Sequence, residues 1–141
     1  MRRVTTGIMV GIVVVGTGLF AASASGQQHR RASEAARLKN PARASAESIA
    51  AGKRVYQRYC LFCHGDAAKG DGAMAPEDVT PSNLADAAWD CGSSDGEIFA
   101  TIRDGVGPKF DMNAYKGRLT DQDIWNVVNY LRSIGPKAGT R

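Results

Sequence analysis

The chain has few of the residues that support metal clusters, disulfide frameworks or sheets. Its 141 residues include only two histidines, three cysteines and 7% aromatic residues. Three cysteines cannot form the several bridges of a disulfide scaffold, and a hydrophobic fraction of 43% is too high for a disordered polyelectrolyte. The length leaves room for one small domain with extensions and excludes a multidomain enzyme. The sequence shows no internal repeat and no convincing strand pattern.

The net charge of +4 is concentrated near the N-terminus. Residues 1–24 contribute +2 and residues 25–54 contribute +5, whereas residues 55–141, which hold most of the aromatic residues, contribute −3. Nucleic-acid binding usually requires a basic stripe on the folded domain. We therefore expect no nucleic-acid partner.

The first 24 residues have the layout of a signal peptide. Two arginines follow Met1, residues 7–20 are uncharged and mostly apolar, and Ala22-Ser23-Ala24 offers small residues for cleavage. This layout predicts export to an oxidising compartment, the periplasm. A retained anchor that attaches the chain to a membrane is the alternative, although the apolar part is shorter than the roughly 20 residues of a spanning helix. Residues 25–44 are predicted to form a basic linker with a short helix over 32–39.

Three later segments have helical periodicity, which predicts an all-α domain with long loops. Ser45 is expected to cap the first helix, a capping box at Ser94-Asp95-Gly96-Glu97 begins the second, and residues 120–123 begin a third that Gly135-Pro136 ends. The residues expected to face the core are Ile49, Val55, Tyr56, Tyr59, Ile98, Phe99, Ile102, Ile124, Val127, Val128, Leu131 and Ile134. Three short helices bury too little area for a stable domain unless something fills its centre.

A motif at residues 60–64, CLFCH, supplies a candidate for that filler. It matches C-x-x-C-H, the signature of c-type haem attachment. The thiols of Cys60 and Cys63 lie near one face of a helical turn and can add to the two vinyl groups of one porphyrin, while His64 supplies the proximal iron ligand. The sequence therefore predicts one covalent haem c with its iron, and an apo chain without fixed tertiary structure.

Other readings of this motif fit the sequence less well. A thioredoxin-type dithiol lacks its βαβ context. A zinc site lacks a second ligand pair, because only Cys91 and His29 remain. A structural Cys60–Cys63 disulfide leaves His64 unexplained.

The second axial ligand is predicted to be Met112. This residue lies between the second and third predicted helices, where a loop can cross the edge of the porphyrin. Met74, an open five-coordinate iron and a ligand other than methionine are the alternatives, and His29 lies in the predicted linker. A histidine–methionine pair favours electron transfer over substrate chemistry.

Over residues 46–136 the chain resembles the class I monohaem c-type cytochromes. The resemblance is carried by AGKRVYQRYCLFCHG, GDGAMAPEDVTPSNL, DGEIFATIRDGV, Met112 and LTDQDIWNVVNYLRSIG. It implies a cytochrome c fold, with three main helices and long loops around one haem, over residues 45–136. Residues 137–141 then form a C-terminal tail.

The resemblance also implies roles for single residues. Gly52, which costs about 1 kcal/mol relative to alanine inside a helix, would let Tyr130 of the last helix pack closely. Pro81 would offer its carbonyl to the second nitrogen of His64, and Trp125 would pack near the haem or a propionate. Two features depart from the family: Asn113 follows Met112 where proline is common, and Cys91 lies outside the pattern. For Cys91, a bridge to another molecule, a lipid attachment and a buried small apolar residue all remain open.

The function implied is that of an electron carrier, without catalytic residues of its own. Its expected partners are redox proteins in the periplasm or in a membrane. The alternatives are a cytochrome c subunit bound to a dehydrogenase or oxidase complex, and a haem sensor or enzyme with an open iron site.

Overall fold

The computed structural model describes residues 33–86, 89–107 and 112–135. The described residues contain four named α-helices, which are α1 (Ala46–Tyr59), α2 (Leu61–His64), α3 (Asp95–Asp104) and α4 (Asp121–Ile134). Within the same ranges, β-pairing is limited to two isolated bridges. The predicted signal peptide, His29 and the C-terminal tail lie outside the described residues.

The long helices begin where the sequence predicts. Ser45 caps α1 by accepting a hydrogen bond from the Ser48 N–H at 3.2 Å. Ser94 and Glu97 form the expected capping box at α3, and Thr120 forms another at α4. The side-chain oxygens of these capping residues accept hydrogen bonds from backbone N–H groups that the first helical turn leaves unpaired. This explains why the three helices begin at defined residues.

The α1–α4 contact depends on Gly52. A Cβ atom at this position would lie 1.9 Å from the carbonyl oxygen of Asn126 and 2.9 Å from Cβ of Tyr130. The Tyr130 ring packs on the Tyr56 ring with centroids 5.3 Å apart. The predicted close approach is therefore confirmed, with the backbone of Asn126 as the nearest group.

Most of the residues predicted to face the core are buried or packed against it. The buried cluster joins α1, α3 and α4 and consists of Tyr56, Cys60, Ala68, Ile98, Phe99, Ile102, Ile124, Trp125, Val127, Val128, Tyr130 and Leu131. Ile134 is 37% exposed, so its predicted core position is wrong. It is the last residue of α4, where the helix extends beyond the cluster.

Part of the predicted linker lies against the helices. We call residues 33–45 the strap; its residues 33–37 are helical. A Cβ atom on Gly96 of α3 would lie 2.0 Å from the carbonyl oxygen of Ala35 and 2.6 Å from Cβ of Leu38. The strap therefore packs closely on the start of α3, which differs from the solvated linker expected from the sequence.

A polar cluster fixes the other end of the strap to α4. Asn40 donates to the side-chain oxygen of Asn129 at 2.8 Å and to the Trp125 carbonyl at 3.2 Å. Asn129, only 6% exposed, donates in turn to the Ala42 carbonyl at 3.1 Å and to the Ser48 hydroxyl at 2.8 Å.

Among the described residues, no helix is long and apolar enough to cross a membrane.

Candidate haem site

The described residues line a cavity of about 330 Å³ between the helices. Much of its wall is apolar, with contributions from the loop after α2 and from α3 and α4, namely Val79, Leu84, Ile98, Ile102 and Leu131. A wall of this kind suits a flat, largely apolar cofactor.

The motif at residues 60–64 brings its three reactive side chains to this cavity. Cys60 ends α1, and its N–H donates to the Tyr56 carbonyl at 2.8 Å. The chain then continues directly into the single turn of α2, which Gly65 ends at φ 78°. Cys60, Cys63 and His64 all line the cavity. The local helix therefore presents two sulfur atoms and one imidazole to the same space.

Burial changes the pKa of Cys60 and of His64. It raises the pKa of the Cys60 thiol to about 12, with the neighbouring Cys63 adding to the effect. A neutral sulfur is thus favoured at Cys60, and a thioether sulfur carries no charge. Burial also lowers the pKa of His64, partly opposed by a hydrogen bond with the Ser82 backbone. Neutral imidazole is the form that binds metal ions.

The structure corrects the predicted role of Pro81. The carbonyl facing Nδ1 of His64 belongs to Ser82, at 3.3 Å. Pro81 lines the cavity, but its carbonyl faces Gly70, where a Cβ atom would lie 2.1 Å from the Pro81 oxygen. Successive carbonyls in a loop point in different directions, so a shift of one residue exchanges one acceptor for the other.

The structure distinguishes the two candidate methionines. Met112 lines the cavity and pairs through its backbone with Val106, with N–H to carbonyl distances of 2.9 and 3.4 Å. Met74 is 66% exposed and is absent from the cavity wall. Its N–H donates to the Phe62 carbonyl at 2.9 Å, which keeps it near the surface beside the motif.

Trp125 is not among the residues that line the cavity, so its position near a haem or propionate stays a prediction. Its ring stacks on Phe99 with centroids 4.1 Å apart and planes 13° apart. This contact joins α3 to α4 within the buried cluster. On α4, the residue that reaches the cavity wall is Leu131.

Two aromatic residues of the wall were missed by the sequence analysis. Trp89 lines the cavity, and its indole N–H donates to the Asp86 carbonyl at 2.9 Å. Tyr115 also lines it, and its hydroxyl donates to the Tyr59 carbonyl at 2.8 Å. Neither residue lies on a periodic helix face. A tryptophan in a polar, glycine-containing loop was the available signal, because a ring of that size needs an apolar surface to cover it.

Cys91 lines the outer part of the same cavity and is exposed. The interpretation of this residue as a buried small apolar side chain is therefore wrong. Its thiol lies on the loop that precedes α3, away from the attachment motif in sequence.

Comparison with known proteins agrees with this geometry. The profile of the family described as cytochrome c oxidase, cbb3-type, subunit III matches residues 47–131. The chain belongs to that family. A cbb3-type cytochrome c oxidase subunit FixP of Bradyrhizobium sp. (strain ORS 278) is 37% identical over 86 residues, which are 61% of this chain and 27% of that protein. The FixP subunit of Bradyrhizobium diazoefficiens is 27% identical over 129 residues, which are 92% of this chain and 37% of that protein.

A solved structure supports the same assignment of fold. Cytochrome cL of Methylophaga aminisulfidivorans superposes with a TM-score of 0.54 at 26% identity, over 70% of this chain and 58% of that one. The all-α cytochrome c fold and the class I monohaem type are thereby confirmed. The cofactor is haem c, attached covalently and containing iron. The chain spans about a third of the length of the two curated relatives or less.

The cavity fits this cofactor by its donor set. Two cysteine sulfurs, an imidazole and a thioether sulfur line one apolar space, and these are the groups that hold haem in proteins of this type. The donors come from Cys60 at the end of α1, from Cys63 and His64 in α2, and from Met112 in the segment after α3.

Proposed function

We propose that the chain is the electron-carrying haem c domain of a membrane-bound oxidase complex. The observation that carries the proposal is the convergence of Cys60, Cys63, His64 and Met112 on one cavity. Haem c supplies a one-electron iron couple when bound. The residues of the chain hold it, close its iron to other ligands and present one edge to a partner.

Each of these residues has a separate task in the proposal. Cys60 and Cys63 would hold the haem through thioether bonds, and His64 would supply a ligand to its iron. Met112 would supply the other protein ligand to the iron, which is supported by its place in the cavity wall and by its backbone pairing with Val106. A thioether ligand favours the reduced state and leaves no open position for a substrate, so the domain itself performs no turnover.

The surface beside Cys63 is the proposed exit for electrons. Phe62 is 48% exposed, and the exposed Met74 is joined to it through the backbone. The Cys63 thiol also lies 3.6 Å from the Met74 carbonyl. A small exposed apolar surface of this kind allows brief contact with a redox partner without a permanent interface.

Membership of an oxidase complex is proposed from the relatives, which are subunits of cbb3-type cytochrome c oxidases. The partner would then be membrane-bound, with the domain on the periplasmic side. A free periplasmic carrier is the second candidate, favoured by the predicted cleavable signal peptide. Size exclusion of a native extract that contains both the periplasm and the detergent-solubilised membranes distinguishes them, because haem c eluting at the mass of this chain alone contradicts the complex.

The ligand assignment is tested by the near-infrared spectrum of the ferric protein. Methionine sulfur on ferric haem produces a charge-transfer band, which we expect to disappear in Met112→Ala. Met74→Ala is the matched control, since its side chain is exposed, and should keep the band. A band that persists in Met112→Ala, or carbon monoxide binding to the ferrous wild type, would overturn the assignment and favour an open iron site.

A further inference from the structure

The acceptor that faces His64 is itself held by a side chain. The Ser82 carbonyl lies 3.3 Å from Nδ1 of His64, and the Ser82 hydroxyl donates to Oδ2 of Asp90 at 2.5 Å. All three residues line the cavity. The Asp90 carboxylate is exposed to solvent, and a charged acceptor of this kind still binds a hydroxyl more strongly than a neutral one does. The link thus restrains the residue whose backbone contacts the predicted iron ligand.

Ser82 needs such a restraint because its loop lacks regular structure. The nearest backbone anchor that follows it is Leu84, whose N–H donates to the Ala68 carbonyl at 2.7 Å. No ring closure fixes the backbone of a serine, in contrast to the proline that precedes it. The Ser82 side chain is therefore well placed to hold its own carbonyl toward the imidazole.

Asp90 lies on a segment that α4 holds in place. Arg132 of α4 donates to Oδ1 of Asp95 at 2.8 Å and also to the Ser93 carbonyl. Its guanidinium carbon lies 5.8 Å from the centroid of the Trp89 ring. These contacts lie on either side of Asp90 in the chain. They restrain the backbone at Asp90, so its carboxylate stays within reach of the Ser82 hydroxyl.

We propose that Ser82 and Asp90 are positioning residues that set the basicity of His64 and thereby lower the reduction potential of the haem. The proposal rests on the proposed role of His64 as axial ligand. With Nε2 on the iron, Nδ1 carries the proton and donates to the Ser82 carbonyl. A firm acceptor there makes the imidazole a stronger donor to iron, which stabilises the ferric state. Loosening the Ser82–Asp90 link should weaken that bond and raise the potential.

The test measures two quantities on the full-length holoprotein. The first is the reduction potential, and the second is the exchange rate of the His64 Nδ1 proton by NMR of the ferrous form. In Ser82→Ala we expect a higher potential and exchange faster by up to about tenfold, the equivalent of one hydrogen bond. Ser82→Thr keeps the hydroxyl and should restore both values. If Ser82→Ala fails to fold, Asp90→Ala, which removes the acceptor of the Ser82 hydroxyl, replaces it in the exchange measurement.

A double-mutant cycle separates positioning from simple charge removal. Asp90→Asn removes a negative charge near the cavity, which raises the potential whether or not Ser82 is involved. The same substitution made in Ser82→Ala measures that direct effect alone. If Asp90 acts through Ser82, the double variant shifts the potential by less than the two single variants combined.

Two results would overturn the proposal. Additive shifts would show that Asp90 acts by charge alone, and an unchanged Nδ1 exchange rate in Ser82→Ala would show that the link does not hold the acceptor. Failure of the proposed function has a different signature. The wild-type ferrous spectrum would then lack a haem-shifted His64 ring, before any variant is compared.

Discussion

The substitution Gly52→Ala tests the contact on which the fold depends most. The added methyl group would lie 1.9 Å from the carbonyl oxygen of Asn126, where ordinary contact begins at 3.4 Å. The nearest atoms belong to the α4 backbone, so no side-chain rotation relieves the clash. Helices α1 and α4 would have to separate by about 1.5 Å, which opens gaps in well-packed surfaces.

The expected cost follows from two opposing effects. Alanine is favoured over glycine inside a helix by about 1 kcal/mol. Overpacking of a tight interface costs about 1–3 kcal/mol, and the upper value applies here because the obstacle is backbone. We therefore expect Gly52→Ala to lower the free energy of unfolding by about 2 kcal/mol.

The assay is denaturant unfolding of the holoprotein, followed by far-ultraviolet circular dichroism. Gln57→Ala is the matched control, because this position is exposed on the same helix, and should change stability by less than about 0.5 kcal/mol. A Gly52→Ala variant as stable as the wild type would refute the reasoning. It would mean that the glycine is not required by the helix contact.

Two further predictions concern the cofactor and the strap. A double variant with Cys60→Ala and Cys63→Ala cannot attach haem. We expect calorimetry of this variant to show no cooperative unfolding transition. A sharp transition without haem would contradict the structural role of the cofactor. Asn129→Ala removes the donor to Ala42 and Ser48 and the acceptor for Asn40, so it should cost about 1–3 kcal/mol. It should also speed amide exchange in the strap. Gln57→Ala, at an exposed position, is its control, and equal stability of the two variants would show that the polar cluster does not hold the strap.

Features set by near neighbours in sequence were predictable. The capping boxes at Ser94 and Thr120 each need only a partner three residues away, so their chemistry is visible in the sequence. The attachment motif is equally local, because one helical turn brings Cys60, Cys63 and His64 to the same wall. Gly52 was informative for a different reason. A residue that disfavours helix in the middle of a helix indicates a requirement imposed from outside it.

Features set by distant neighbours were not predictable. The strap is fixed by Asn40 and Asn129, which are 89 positions apart and show no periodic pattern. The loop that faces His64 was identified correctly, but the acceptor was placed at Pro81 because nothing in an irregular loop determines which carbonyl points inward. The stacking of Trp125 on Phe99 was not predicted for a similar reason. Its burial was foreseeable, whereas its choice of Phe99 over the cavity depends on how α3 and α4 meet.

The sequence predicts that the three helices alone bury too little area for a stable domain. The cavity is the part of the structure where that buried core is missing. An empty space inside a protein costs about 24 cal/mol for each Å³, so a cavity of about 330 Å³ would cost up to about 8 kcal/mol. Entry of water at the polar mouth lowers this value, yet it remains comparable to the whole stability of a small domain, about 5–15 kcal/mol. The packing between α1 and α4 therefore cannot by itself keep the surrounding loop in place. Haem c is then as much a part of the core as the helices that surround the cavity.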